Sequence, residues 1–158
     1  MHWPPLPDYG CFPRWPTDGD DFIHPEDRGK ASRFIPSERV LRRDEFDGTY
    51  YHYAYGKLRL RLRPAMWLKV TDDGIDIGDE VETIGRALQR ELFVATIWGM
   101  YYVARKGCIL YRLKRGEMPV PRLYAAKDLR LLTDKEHIRE RTFDYRAPKW
   151  DGTGDLEL

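Results

Sequence analysis

The chain has 158 residues, 42% of them hydrophobic and 13% aromatic, with 27 basic and 26 acidic side chains for a formal net charge of +1. That length supports an ordinary hydrophobic core and excludes a scaffold that needs metal or disulfide staples, while the composition excludes a chain that stays disordered. The 34% of charged residues and the 11 prolines predict a solvated, loop-rich surface.

Residues 1–22 interleave Pro4, Pro5, Pro7, Pro13 and Pro16 with Trp3, Tyr9, Phe12 and Trp15. Large rings left in water are costly, so this segment is expected to be an irregular arm packed over the body, in preference to an exposed proline-rich ligand. From His24 the pattern turns helical. Pro25 suits the first helical position, Glu26 and Asp27 complement the positive end of the dipole, Ala31, Phe34 and Ile35 form one apolar stripe, and Pro36 ends the helix.

Residues 49–63 read Thr-Tyr-Tyr-His-Tyr-Ala-Tyr, then Gly56-Lys57, then Leu-Arg-Leu-Arg-Leu-Arg, which predicts a hairpin. A two-residue turn at Gly56-Lys57 pairs Tyr55 with Leu58, Tyr53 with Leu60 and Tyr51 with Leu62 on one apolar face. The other face carries Tyr50, His52 and Ala54 with Arg59, Arg61 and Arg63. Such an arginine row is either a solvated strand face or a contact for phosphates. Val40 and Leu41 mark a preceding strand and Met66, Leu68 and Val70 a following one, so residues 23–72 are expected to form a short helix and a four-stranded β-meander.

Asp72-Asp73-Gly74 is a turn and a candidate boundary for a second unit over residues 73–132. Strands are expected at 78–83, 93–98, 101–103, 108–113, 121–124 and 130–132, a spacing suited to a small barrel. Gly78-Asp79-Glu80-Val81-Glu82, Ala95-Thr96-Ile97, Tyr111-Arg112-Leu113 and the run from Leu123 to Leu132 resemble the strand series of an SH3-like barrel of the Tudor or KOW sort, over residues 78–132. The resemblance implies a short helical turn at 126–129 before the last strand, and a binding rim of aromatic residues, for which Trp98, Tyr101, Tyr102 and Tyr124 are the candidates. Taken whole, the chain also resembles small bacterial proteins that have no assigned role.

Thr133-Asp134-Lys135-Glu136 is a capping box that predicts a short helix over 134–141, followed by an irregular tail in which Phe143, Tyr145 and Trp150 pack on the body. The fold class that follows is mainly β (α+β), with the two halves forming either separate units or one body.

Charge falls in blocks: residues 28–69 carry eleven basic and four acidic groups and residues 93–132 eight and two, while residues 1–27 and 70–92 are each acidic by five. With a pI near 7.8 the acidic blocks are expected to fold against the basic ones, and a protein partner is slightly favoured over nucleic acid. The chain lacks asparagine, and its only serines, Ser32 and Ser37, lie outside a nucleophile elbow, which argues against serine hydrolase chemistry. Its four histidines are scattered, and the clusters at Asp18-Gly19-Asp20-Asp21 and Asp72-Asp73-Gly74-Ile75-Asp76 read as turns, so neither cofactor nor metal is expected.

The longest uncharged run, residues 92–104, is too short to span a bilayer, no secretory signal is expected, and Cys11 and Cys108 read as free thiols, all of which predict a cytoplasmic protein that does not enter membranes. The expected function is a non-enzymatic macromolecule-binding module. It would hold a protein segment on aromatic rings, or nucleic acid on Arg59, Arg61 and Arg63 with Lys106 and Arg112. The alternative is a small enzyme in which His24 or His52 works with a carboxylate such as Asp20 or Asp21.

Overall fold

The computed structural model describes residues 5–15, 19–63, 66–84 and 92–133. The predicted capping-box helix over 134–141 and the aromatic tail lie outside the described residues; Thr133 itself accepts the Glu80 N–H on its hydroxyl at 2.8 Å. The fold is mainly β. Among the described residues ten strands form one antiparallel sheet: β1 Asp8–Phe12, β2 Ser37–Phe46, β3 Tyr51–Tyr55, β4 Leu58–Leu62, β5 Leu68–Val70, β6 Glu80–Thr83, β7 Val94–Val103, β8 Cys108–Arg115, β9 Met118–Ala125 and β10 Leu129–Leu131. The order is β5-β1-β2-β7-β6-β10, with β3-β4 branching from β2 and β8-β9 from β7. 3-10 turns at Gly19–Phe22 and Pro25–Asp27 precede α1, Arg28–Phe34, and a third at Ala126–Asp128 separates β9 from β10.

The tyrosine-leucine hairpin has the predicted register, with Tyr51 opposite Leu62, Tyr53 opposite Leu60 and Tyr55 opposite Leu58. Strict alternation over two strands leaves one solution, because a slip of one residue would turn the whole apolar set into water. The predicted arm is different: Asp8–Phe12 is a strand between β2 and β5, not an irregular cover. Two interactions hold it there. Asp8 takes both Nε and Nη2 of Arg43 at 2.8 Å in a buried bidentate pair, and Gly10 lets the Trp67 ring lie on the backbone, where a Cβ would stand 2.7 Å from it. Pro7 and Pro13 flank this strand and stay out of its ladder.

Inserting β1 also relocates the last strand of the predicted meander. Leu68–Val70 pairs with β1 and not with β4. The free side of β4 is met by residues 22–24 instead, through His24 N–H to the Arg61 carbonyl at 3.0 Å and Arg63 N–H to the Phe22 carbonyl at 2.6 Å.

Two hydrophobic cores share β2. Phe12, Phe34, Leu41, Tyr53 and Leu60 belong to the first, and Val40, Ile97, Met100, Tyr111 and Leu113 to the second. Side chains alternate across a strand, so Val40 and Leu41 enter opposite cores from adjacent positions. The linker after β5 ties the same parts together: Asp76 Oδ2 accepts the Tyr9 hydroxyl at 2.8 Å and Arg42 Nη1 at 2.7 Å, while Asp73 accepts the Tyr111 hydroxyl at 2.7 Å. The aspartates predicted as turn formers therefore also bridge the two halves.

In the second half β6, β7, β8 and β9 follow one another as neighbours, and β10 returns across the 3-10 turn to pair with β6. The segments predicted at 93–98 and 101–103 are one long strand, β7, whose register shifts by one residue between Ile97 and Gly99. Trp98 is the extra residue of that bulge.

Candidate functional site

The arginines of the row at 59, 61 and 63 bond within the chain, with Arg61 half-buried and Arg59 and Arg63 exposed. Arg61 donates its backbone N–H and its Nε to Asp27 Oδ2, both at 2.9 Å, and its Nη2 to Asp27 Oδ1 at 3.1 Å and Glu26 Oε1 at 3.2 Å. Burial opposes ionisation of Asp27, but the bonds from Arg61 outweigh it and hold the carboxyl below the usual carboxylate range. Arg63 donates to the Asp21 carbonyl at 2.9 Å and lies over the Tyr50 ring, and Arg59 folds back on the carbonyls of Gly56 and Leu58. The acidic residues read as dipole complements thus receive the middle arginine of the row.

The two candidate histidines are engaged locally. His24 Nδ1 accepts the Glu26 N–H at 3.1 Å, and its ring packs against Tyr50 with centroids 5.0 Å apart. His52 Nε2 lies 2.8 Å from Asp47 Oδ2, within proton-transfer reach. The same aspartate accepts the N–H groups of Tyr50 at 2.8 Å and Thr49 at 2.9 Å, so the pair fastens the exposed β2–β3 turn. The Tyr50 amide first, then the His52 ring and the Thr49 amide, hold the Asp47 carboxyl well below its ordinary value. The side chain of Asp20 lies outside the described residues, and Asp21 contributes its carbonyl to Arg63.

The four aromatic candidates separate onto the two faces of the second half. Tyr124 is only 3% exposed and stands in the core opposite Tyr111, edge-on to Phe93 at 6.4 Å. Tyr102 packs against the same core from the end of β7. Trp98 and Tyr101 lie on the outer face, Trp98 at 38% exposure with its Nε1 donating to the Leu113 carbonyl at 3.0 Å. They share that face with Arg112 of β8, whose guanidinium carbon is 5.7 Å from the Trp98 ring centre and 5.5 Å from that of Tyr101. Lys114 Nζ approaches Trp98 to 5.7 Å as well. Gly99, opposite Arg112, leaves the room: a Cβ there would stand 3.1 Å from both Arg112 and Tyr101. Among the described residues Arg112 makes no ion pair, so its half-buried guanidinium lies within reach of two rings and of no carboxylate.

The same face continues into an open groove of about 580 Å³. Cys108 and Leu110 of β8 and Leu123 and Ala125 of β9 alternate toward it, with Leu110 opposite Tyr101 on one side and Ala125 on the other. Lys106, Arg122 and Lys127 line it as well, together with Asp73 and Asp128. Neither His24 nor His52 lines this groove. Its apolar floor was hidden from sequence reasoning. The signal that would have found it is the even-numbered phase of β8 and the odd-numbered phase of β9, set by the Gly116-Glu117 turn that places Arg115 opposite Met118.

A family model matches residues 1–130, spanning both cores and the outer face. The chain belongs to DUF6960, a family of unknown function. No curated protein matches the chain and no solved structure matches it. The matched stretch of this DUF6960 member takes in β1 as well as the second half, so the family spans the shared strand β2 and both cores it serves. Among the described residues no helix is long and apolar enough to cross a membrane.

Proposed function

We propose that the protein is a non-enzymatic binding module that holds a protein segment on the outer face of β7, β8 and β9, and that β6 to β10 constitute an SH3-like barrel. Support for the barrel comes from the strand order, four successive neighbours and a fifth strand that returns after one 3-10 turn to the first. The observation that carries the binding reading is Arg112, held between Trp98 and Tyr101 without an acidic partner among the described residues, beside an apolar groove. A partly exposed indole and an unneutralised guanidinium are the kinds of side chain that anchor protein interfaces.

A protein segment is favoured over nucleic acid because Arg61, the middle of the arginine row that would track phosphates, is paired with Asp27 and Glu26 and Arg63 is drawn to the Asp21 carbonyl. The His52–Asp47 pair supports a turn fastener more directly than a catalytic dyad, since both oxygens of the aspartate are engaged and the pair is exposed. Two unpaired thiols, Cys11 in the first half and Cys108 in the groove, support a reducing compartment such as a bacterial cytoplasm.

The test is retention of proteins from a nuclease-treated lysate by immobilised wild type and by a Trp98→Ala, Arg112→Gln double variant. Bands held by the wild type and lost in the variant are expected. Retention that disappears on nuclease treatment, or that survives in the variant, overturns the assignment of this face.

A further inference from the structure

We infer that the segment held by this face is acidic and partly apolar, an extended peptide that sets carboxylates on Arg112 and the groove cations while placing aliphatic side chains on Leu110, Leu123 and Ala125. The inference rests on the protein-segment reading above and adds the chemistry of the partner. Charge is its first support. Residues 93–132 carry eight basic and two acidic side chains; Arg112 and Lys114 stand on the outer face, and Lys106, Arg122 and Lys127 line the groove, Arg122 from the strand phase it shares with Tyr124. Of these, Arg112 and Arg122 make no ion pair among the described residues, and Arg122 instead lies 4.4 Å over the Tyr124 ring. Guanidinium groups steadied by rings keep their planar fork free for a carboxylate.

The floor is the second support. Leu110, Leu123 and Ala125 are aliphatic and half-buried, a surface that matches aliphatic side chains. Single-stranded nucleic acid instead needs successive open ring faces, yet Trp98 and Tyr101 each carry a cation over the ring. A groove of about 580 Å³ accommodates a few side chains, so the peptide is short where it is anchored.

The experiment titrates the full chain with fluorescein-labelled decapeptides of alternating Glu and Leu, Gln and Leu, or Lys and Leu, and with labelled oligothymidylate, following anisotropy across a salt series. The Glu-Leu peptide is expected to bind in preference to the others, more tightly at low salt, and to weaken about tenfold or more in Arg112→Gln. Leu123→Asp, a substitution at a half-exposed position, is expected to weaken it as well, and circular dichroism confirms that each variant folds. Equal binding of the Gln-Leu and Glu-Leu peptides, lost in Leu123→Asp, overturns the acidic partner and leaves the protein-segment reading standing. Oligothymidylate binding at this face without peptide binding overturns both. Failure of the Glu-Leu peptide to bind at about 1 mM overturns the acidic partner.

Discussion

Val40 and Leu41 are chain neighbours that serve different cores: Val40 is 1% exposed among Ile97, Met100 and Tyr111, and Leu41 is 1% exposed among Phe12, Tyr53 and Leu60. A strand buried on both faces cannot leave one core without opening the other. The two halves are therefore expected to melt together. Leu41→Ala should destabilise the protein by about 2–5 kcal/mol and Val40→Ala by somewhat less, since fewer carbons are removed. Differential scanning calorimetry should show one transition in the wild type and one, shifted down, in each variant. A split into two transitions in either variant would show that the cores fold independently.

The close approach of Trp67 to Gly10 is a second point of high stability cost. A methyl group at position 10 would meet the ring at 2.7 Å and also press on the Leu68 carbonyl of β5, the strand that directly follows Trp67 and pairs with β1. Gly10→Ala is expected to cost about 1–3 kcal/mol, as overpacking in a filled interior does. A lowered urea midpoint is the readout, and an unchanged midpoint would mean that β5 yields freely.

Much of the fold was legible because it follows periods that admit one solution. The 51–62 hairpin alternates without interruption, and Pro25 and Pro36 bracket α1. β1 was illegible for a physical reason: its partners, Arg42 and Arg43 of β2 and Leu68 to Val70 of β5, lie more than thirty residues away, while the surrounding prolines signal irregular chain. In β7 the inward residues are Ala95 and Ile97 before the bulge and Met100 after it, so the apolar phase changes from odd to even. A phase break of that kind looks like a strand end, which is why one strand read as two.

Asp27 makes acid stability informative. Its carboxyl is held below the usual range, so its contribution to folding is complete above the unfolded value of about 3.9 and is lost as the pH falls from there through the folded value. Asp47 acts in the same direction. The wild type is expected to lose stability as pH drops below about 4, and Asp27→Asn to be less stable at neutral pH with a shallower acid slope. Urea midpoints between neutral pH and pH 3 decide it, and parallel slopes in the two proteins would remove Asp27 as a contributor. The Arg59, Arg61 and Arg63 triple alanine variant should also lose stability at neutral pH, because it removes the guanidinium partner of Asp27 and leaves Lys30 as its cation.

Trp98 and Tyr124 looked equivalent in sequence, each an aromatic residue near a strand end of the second half, and the structure separates them by phase. Tyr124 faces Tyr111 inside the core, whereas the bulge that ends at Gly99 leaves Trp98 outside against Arg112. Stability and binding should separate accordingly. Tyr124→Ala is expected to cost about 3–5 kcal/mol, the loss typical of a buried ring. Trp98→Ala should lower stability far less, since its ring is over a third exposed and its one backbone bond ends on the Leu113 carbonyl. Binding of the Glu-Leu peptide should nonetheless fall about tenfold in Trp98→Ala, because Arg112 loses one of the two rings that hold it. Thermal melts of both variants with the peptide titration alongside test the division. Equal losses of stability in the two would place Trp98 in the core, and undiminished binding in Trp98→Ala would move the site away from the outer face of β7.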